Sequence, residues 1–187
     1  MYMGIDTSTK ALHVVLLNED GTIHSQTKIS NTLKDLDARI FKMSDDLYNF
    51  ASIIKVTASA IEAAIFIQNP MTTIKLSAVV ACAKYALYRA GLSVVPVDNR
   101  SWKKTIIGNG NAKKTDIMAH AKTVWGDVFT EQDYADSACI ALWRLQTFNG
   151  NEKEDLVFLY PTPSSQSRPC STSIVRLTFA AGSIGAS

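Results

Sequence analysis

Apolar residues near the start of the chain occur in short runs of the length of β-strands. Two runs cover residues 2–6 and 13–17, and a third, in which apolar and polar residues mix, covers 22–29. Asn18-Glu19-Asp20-Gly21 separates the second run from the third, and such residues between two strands favour a hairpin turn. The pattern therefore predicts an antiparallel meander of three strands.

Apolar positions three and four residues apart follow the meander. They are Leu33, Leu36, Ile40, Met43, Leu47 and Phe50. This spacing is typical of an amphipathic helix. We expect Asn31 to be its N-cap, because asparagine is a favoured residue there, and we expect the helix to end near Ile54.

A strand, a loop and a long helix are predicted next. Residues 56–64 are mainly apolar and contain Glu62, and Asn69-Pro70 supplies a capping residue followed by a proline suited to the first helical position. The predicted helix 70–90 is rich in small and aliphatic residues, and Gly91 lies where helices commonly end. We therefore expect this helix to be largely buried.

Another strand and two helices complete the predicted order. The strand covers 92–97, a helix runs from about 112 to 125 after the glycine-containing turn 108–111, and the last helix covers 133–146. Strands that alternate with helices after an antiparallel meander indicate an α/β domain, with a mixed central sheet flanked by helices.

The composition supports one folded domain followed by a different C-terminal segment. The chain has 187 residues, of which 47% are hydrophobic, which is enough for one core. We assign residues 1–150 to this domain. Residues 151–187 contain prolines, serines and a run of small residues, so we expect a loosely packed or disordered tail, in which 157–160 and 173–179 could form edge strands.

The sequence favours a soluble protein of a reducing compartment. Its apolar runs are shorter than the ~18 residues of a membrane-spanning helix, and its start lacks the basic segment of a signal peptide. Cys82, Cys139 and Cys170 are scattered and odd in number, as is usual for unpaired thiols. We expect a cytoplasmic protein without a membrane partner.

Positive charge is concentrated in one segment, although the net charge is only +2. The basic residues between positions 100 and 114, with no acidic residue among them, are Arg100, Lys103, Lys104, Lys113 and Lys114. Such a cluster suits the phosphates of a nucleic acid. The alternative is a basic surface that contacts only solvent.

Carboxylates in apolar surroundings are the strongest chemical signal. Asp6 and Glu62 each lie in a predicted apolar strand, and Asp133 and Asp136 lie three residues apart in the first turn of the last helix. A buried carboxylate is costly without a cation or several hydrogen bonds, and clustered carboxylates raise each other's pKa. We therefore predict that all four share a site for Mg²⁺ or Mn²⁺.

Two such ions would support the hydrolysis of a phosphodiester bond. Three of these acids also have a simpler explanation. Asp133 could be a helix N-cap, Asp6 could be a turn residue at a strand end, and Glu62 could pair with a lysine.

The motifs resemble those of the RuvC-type Holliday-junction resolvases of bacteria and their phages, which have a ribonuclease H-like fold. The resemblance covers residues 1 to about 147 and agrees in the order and spacing of the motifs. It rests on Gly4-Ile5-Asp6, on 61–76 with its Ile61-Glu62, on 103–114, and on Asp133-Tyr134-Ala135-Asp136-Ser137-Ala138.

The resemblance implies a metal-dependent endonuclease. The residues that it implies as metal ligands and catalytic groups are Asp6, Glu62, Asp133 and Asp136. It also implies that Lys103 and Lys114 approach DNA phosphates near the cut, and that a homodimer nicks two opposing strands of a four-way junction. The protein would act in a bacterial cell and be encoded by the bacterium or by a phage.

Two motifs depart from the family pattern. Asp6-Thr7-Ser8 stands where the family often has Asp-Pro-Gly, so the turn after the first strand should differ. The family often has an aromatic residue three positions after the glutamate, where this chain has Ile65, followed by Phe66. Phe66 is our candidate for contact with DNA bases, the alternative being a core phenylalanine. We do not expect a strict sequence preference, and other branched DNAs are candidate substrates.

A rival function follows from the same first motif. The segment 4–10 also resembles the phosphate-binding turn of sugar kinases and actin-like ATPases, and the opening of their non-catalytic partner proteins in transfer-RNA modification. That superfamily shares the core fold, and it predicts a nucleotide-binding or protein-interaction role. It would need a second domain and glycine-rich nucleotide-binding turns, which 187 residues do not readily supply.

The histidines and tryptophans fall outside the matched site motifs. We expect His13, His24 and His120 to be surface or half-buried polar residues. Trp102 is a candidate for DNA contact, whereas we expect Trp125, at the end of an amphipathic helix, to belong to the core.

Overall fold

A mixed five-stranded sheet forms the centre of the protein in the computed structural model, which describes residues 1–64 and 69–150. The strands follow the spatial order β3-β2-β1-β4-β5. Neighbours within the meander β1-β2-β3 are antiparallel, whereas β4 and β5 extend it in parallel. The strands are β1 (Tyr2–Thr7), β2 (Ala11–Leu17), β3 (Ile23–Ser30), β4 (Ala58–Glu62) and β5 (Val94–Val97). The predicted mixed sheet and its hairpin turn are confirmed.

Helices cover both faces of this sheet. They are α1 (Leu36–Ser52), α2 (Pro70–Arg89), α3 (Asn99–Ile107), α4 (Lys114–Trp125) and α5 (Gln132–Thr147). Alternate residues of β1 and β2, such as Ile5 and Val14, pack with α1 and α2 in one core. The opposite face, which includes Val15, packs with α5, and α3 and α4 pack against α5 in turn.

The beginning of α1 differs from the prediction. Its N-cap is Asp35, whose carboxylate accepts a hydrogen bond from the Ala38 nitrogen at 2.8 Å, and not Asn31. Asn31 instead accepts from the Leu33 nitrogen at 3.1 Å and so forms a turn before the helix. Asparagine and aspartate both favour caps and turns, so composition could not decide between two candidates four residues apart.

The long helix α2 has the predicted ends but not the predicted burial. Asn69 caps it by accepting from the Met71 nitrogen at 3.0 Å. Its buried side chains lie in the second half, from Val79 to Leu87. Met71 and Ile74 are 57% and 60% exposed, so the expectation of a largely buried helix was wrong.

Helix α3 was not predicted, because the basic residues in this segment interrupt the apolar spacing that indicates a helix. Asp98 caps it by accepting from the nitrogens of Arg100 and Ser101, both at 3.0 Å. Gly108 ends it with a φ of +84°, a conformation that glycine adopts at no steric cost. An N-cap aspartate and a terminal glycine at helical separation were the sequence signal for this element.

Close contact between β1 and α5 depends on Gly4. A β-carbon at this position would lie 2.1 Å from the main-chain oxygen of Ser137 and 2.3 Å from the nitrogen of Ala141. The absence of a side chain therefore lets the backbone of α5 rest directly on the strand. Buried Ser137 adds a polar link, since its hydroxyl accepts from the Asp6 nitrogen at 3.2 Å and lies 2.9 Å from the His13 carbonyl oxygen.

Several predictions concern residues that the structure does not describe. Phe66, Cys170 and the tail 151–187 with its two suggested strands lie outside the described residues. Cys82 is half-buried and Cys139 is buried, and both are free thiols. Within 1–64 and 69–150, none of the helices combines the length and the apolar character that a transmembrane span requires.

Candidate metal centre

Two neighbouring strands and one helix carry the predicted acidic residues to the same place. Asp6 lies in β1 on the face that contacts α5, and Glu62 ends the adjacent parallel strand β4, in which Ile61 pairs with Ile5. Asp133 and Asp136 lie in the first two turns of α5, which rests on β1. The close packing at Gly4 thus brings the beginning of α5 to the ends of both strands.

The pKa shifts show that the acids interact. Burial raises the pKa of Asp6 well above its ordinary value, and Glu62, Asp136 and Asp133 raise it further. Burial also raises the pKa of Asp136 to about 6, with a further contribution from Glu62. Each of these carboxylates therefore holds its proton more strongly than a carboxylate in water, because neighbouring negative charge opposes its ionisation.

A buried oxygen without a hydrogen-bond donor is consistent with a cation-binding site. Among the described residues, Oδ1 of Asp136 is buried and has no hydrogen-bond partner. Such an oxygen is costly to bury unless a proton or a cation neutralises it. Four carboxylates supply the hard oxygen ligands that Mg²⁺ and Mn²⁺ prefer. The residues present therefore fit a divalent metal ion.

Helix α3 holds Glu62 in place. Oε1 of Glu62 accepts from Nδ2 of Asn99 at 2.9 Å, and Oε2 accepts from Nε1 of Trp102 at 3.2 Å. Trp102 is fully buried, so the suggestion that it contacts DNA was wrong. Asn99 was missed because nothing in the sequence distinguishes it from other polar residues at the start of a helix.

His13 lies at this site, although it falls outside the motifs that predicted the site. It is 3% exposed and is paired with Asp6 across the two antiparallel strands. Its Nδ1 is 3.7 Å from Oδ2 of Asp133, and its Nε2 is 3.3 Å from Oε2 of Glu131. The expectation of a surface or half-buried residue was therefore wrong for His13, whereas His24 is exposed and His120 is half-buried, as expected.

The simpler explanations of the acids do not match the structure. Asp6 lies inside β1 and is not a turn residue. The N-cap position of α5 is held by Glu131, not by Asp133. Over the part of the chain that the structure describes, Glu62 has no lysine within ion-pair distance, and its partners are the two neutral donors on α3.

Basic residues border the site on α3 and α4. Lys103 and Lys114 are close enough to the acids to oppose the rise in the pKa of Asp136. The remaining members of the basic cluster are exposed and are Arg100, Lys104 and Lys113. Two of the five predicted DNA-binding cations are thus electrostatically coupled to the carboxylates, while Phe66 lies outside the described residues.

Comparisons with known proteins point to one family. The profile of the family described as crossover junction endodeoxyribonuclease RuvC matches residues 3–143. The protein of that description from Chelativorans sp. (strain BNC1) is 28% identical over 121 residues, which is 64% of this chain and 71% of the relative. The one from Rhizobium johnstonii is 29% identical over 139 residues, 74% of this chain and 78% of the relative.

Solved structures show the same fold. Thermus thermophilus RuvC in complex with a Holliday junction substrate superposes with a TM-score of 0.66 at 18% identity, covering 76% of this chain and 90% of the other. The yeast mitochondrial Holliday junction resolvase Ydc2 gives 0.53 at 16% identity, covering 77% of each chain. The ribonuclease H-like fold that the resemblance implied is thereby confirmed.

The family profile spans most of the chain and includes all four acids. It supports the resolvase resemblance over the nucleotide-binding alternative suggested by the segment 4–10. The chain belongs to the family of crossover junction endodeoxyribonucleases described as RuvC.

Proposed function

We propose that this protein hydrolyses phosphodiester bonds in four-way DNA junctions, with Asp6, Glu62, Asp133 and Asp136 as the ligands of two divalent ions, Mg²⁺ or Mn²⁺. Family membership makes the chain an endodeoxyribonuclease that acts on crossover junctions. The observation that carries the assignment of the site is the cluster of mutually coupled carboxylates, in which a buried oxygen of Asp136 has no donor among the described residues.

The protein's own groups position this acidic cluster before DNA arrives. Asn99 and Trp102 fix both oxygens of Glu62, and Ser137 joins the backbone of β1 to α5. Divalent ions bound by such a cluster supply an activated water and stabilise the leaving oxygen of a phosphodiester. Ligands held by buried supporting groups need little rearrangement to bind metal, which favours catalysis.

The DNA backbone would approach over α3 and the beginning of α4. These elements place the exposed side chains of Arg100, Lys104 and Lys113 on the side of the molecule that also carries Lys103 and Lys114. Positive charge beside a metal site compensates the phosphates on either side of the scissile bond. Phe66 remains our candidate for contact with a base next to the cut.

Paired cleavage of opposing strands requires two sites, and each chain supplies one acidic cluster among its described residues. We therefore propose a homodimer, since a two-fold symmetric pair matches the symmetry of a four-way junction. The exposed apolar side chains of α2 support this helix as the dimer surface. They include Met71, Ile74 and Tyr85.

Replacement of Asp6 tests the proposal. The substrate is a supercoiled plasmid that extrudes a four-way junction, on which paired incision gives linear DNA and single incision gives a nicked circle. We expect the Asp6→Asn protein to bind the junction normally and to lose Mg²⁺-dependent cleavage by at least ~1000-fold, because the amide cannot contribute negative charge to a metal site. The matched control is Asp45→Asn, which changes an exposed acid of α1.

Three results would contradict parts of the proposal. Cleavage by the Asp6→Asn protein at the wild-type rate would exclude the metal site. Nicked circles without linear product, at every protein concentration, would exclude paired incision by a dimer. Equal cleavage of junction and linear duplex would exclude selectivity for branched DNA.

A further inference from the structure

His13 is a buried histidine that lies beside the acidic cluster. It faces Asp6 directly across the β1-β2 pair, so both side chains lie on the face of the sheet that α5 covers. One nitrogen or oxygen atom from each of Asp6, His13 and Asp133 lies within 4.8 Å of the other two. A histidine that is 3% exposed in such a place is part of the site and not of the surface.

One ring nitrogen of His13 is already engaged. Its Nε2 lies 3.3 Å from Oε2 of Glu131, and the same carboxylate oxygen accepts from Nζ of Lys28 at 2.6 Å. Lys28 therefore forms an ion pair with Glu131 through the same oxygen that faces His13. An ionised carboxylate can only accept hydrogen bonds, so Nε2 must carry the proton.

The other ring nitrogen then presents a lone pair to the acids. In a neutral imidazole with its proton on Nε2, Nδ1 is an acceptor. Nδ1 is buried and has no hydrogen-bond donor among the described residues, and it lies 3.7 Å from Oδ2 of Asp133. A lone pair on Nδ1 and a carboxylate oxygen that face each other at this distance repel, and a cation bound between them would turn the repulsion into attraction.

This arrangement matches the usual surroundings of a metal-binding histidine. Such a histidine commonly donates its second N–H to a carboxylate, which fixes the tautomer and the orientation of the ring. Donor atoms about 2.1 Å from one divalent ion lie about 3 to 4 Å apart, a range that includes the separation between His13 and Asp133. Here the carboxylate that accepts the second N–H of His13 is that of Glu131, which is itself held by Lys28.

We infer that Nδ1 of His13 is a nitrogen ligand of the divalent ion bound between Asp6 and Asp133, and that Glu131 orients it. The inference rests on the proposed metal site and adds a ligand to its four carboxylates. Imidazole binds transition metals more readily than Mg²⁺. The protein should therefore prefer Mn²⁺ to Mg²⁺ more strongly than a site made of carboxylates alone.

Pulsed electron paramagnetic resonance of bound Mn²⁺ tests this ligand without an activity assay. We expect the untagged wild-type protein to show the hyperfine coupling of a directly bound ¹⁴N nucleus. The chain contains three histidines, so a protein with both His24→Gln and His120→Gln keeps His13 as its single imidazole. That protein should retain the coupling, which makes the test independent of whether variants of His13 fold.

Metal titration provides a second readout. We expect His13→Gln to remove the nitrogen coupling and to weaken Mn²⁺ binding by ~10- to 100-fold, with a smaller loss of Mg²⁺ binding. The matched control is His24→Gln, which changes an exposed histidine on β3 and should leave both affinities unchanged.

The outcomes separate this inference from the proposed function. Mn²⁺ that binds the wild-type protein without nitrogen coupling would overturn the role of His13 and leave the carboxylate site intact. Loss of coupling in the protein that keeps only His13, or equal weakening of Mn²⁺ and Mg²⁺ binding by His13→Gln, would also overturn it. Failure of the wild-type protein to bind either metal would instead overturn the proposed metal site itself.

Discussion

The orientation of the Glu62 carboxylate is determined by its neighbours. Both of its oxygens accept hydrogen bonds from α3, one from Asn99 and one from the buried indole of Trp102. Neutral donors fix a carboxylate without cancelling its charge, so its negative charge stays available to a cation. The sequence motif places Glu62 in the site, and α3 determines the direction in which it points.

Replacement of Trp102 by phenylalanine should therefore weaken metal binding. The ring still fills most of the buried space, but Oε2 of Glu62 loses its donor. We expect the affinity for Mn²⁺, measured by isothermal titration calorimetry, to fall by ~10-fold or more, as is usual when a supporting partner of a ligand is lost.

The control for this change is Trp125→Phe. Trp125 also donates its indole N–H, to the carbonyl oxygen of Gly21 at 2.9 Å, so this variant loses the same type of hydrogen bond away from the acids. Its Mn²⁺ affinity should not change. Equal losses of affinity in the two variants would mean that Trp102 acts only through overall stability.

Single residues also show what the sequence could and could not predict. Asp6 and Glu62 could be selected because a carboxylate in an apolar strand is costly and therefore conspicuous. His13 meets the same criterion, but its closeness to Asp6 depends on the register of β1 and β2, which the chain between them determines. Trp102 could not be placed, since an aromatic residue among lysines suits both a core and a DNA surface.

Helix α5 is the element that assembles the site, because it brings Asp133 and Asp136 to β1. Its position depends on the absence of a side chain at Gly4, where the main chains of the helix and the strand meet. Substitutions in the solvent-exposed part of α5 would change only the surface of the helix. A substitution at Gly4 would instead change the distance between α5 and the sheet.

A single methyl group at position 4 should therefore disrupt the protein. In Gly4→Ala the new carbon would lie 2.1 Å from the backbone of α5, so strand and helix must separate. We expect a loss of at least ~3 kcal/mol in the free energy of unfolding, measured with urea, at the upper end of the usual cost of overpacking.

Gly108→Ala is the matched control for this prediction. Apart from the adjoining backbone, no atom of the described residues lies within 4 Å of a β-carbon built there. Since φ is +84°, the cost should be limited to about 1 kcal/mol of backbone strain. If the Gly4→Ala protein is as stable as the Gly108→Ala protein, the direct contact does not hold α5 in place.

Elements with a regular apolar pattern could be predicted, and those without one could not. The strands of the meander, α2 and α5 follow from apolar runs and from turn or capping residues at their ends. Helix α3 was missed because it buries Trp102 next to two lysines, Lys103 and Lys104. Its apolar positions therefore did not form a regular pattern in the sequence. The exposure of the first half of α2 was missed because the composition of a helix does not show how much of its length is covered by the elements packed against it.

The whole molecule must fold with several like charges in one place. Asp6 and Asp136 have raised pKa values in the folded protein, so the folded state binds protons that the unfolded state has already released. Stability without metal should therefore fall as pH rises from about 4, the ordinary aspartate value, through the pKa of about 6 of Asp136. Below that range these groups are protonated in both the folded and the unfolded state, so they no longer lower the stability of the folded protein.

The contribution of Asp136 can be measured by comparing the melting temperature of the metal-free wild-type protein with that of Asp136→Asn. We expect the variant to gain stability relative to wild type between pH 4 and pH 7.5, by on the order of 2 kcal/mol at the upper end, because its side chain stays neutral. Saturating Mn²⁺ should raise the melting temperature of the wild-type protein at pH 7.5 and much less at pH 5. A stability difference between the two proteins that does not vary with pH would contradict the raised pKa.

The contact at Gly4 also limits how laboratory evolution could change this nuclease. The spacing between strand and helix is set by two main chains, so no exchange of one side chain for a slightly larger or smaller one can adjust it gradually. Selection for a different metal would have to act on the identity of the proposed ligands, such as Asp133 or His13, while position 4 stays fixed. A residue without any functional group would then be among the least replaceable in the active site.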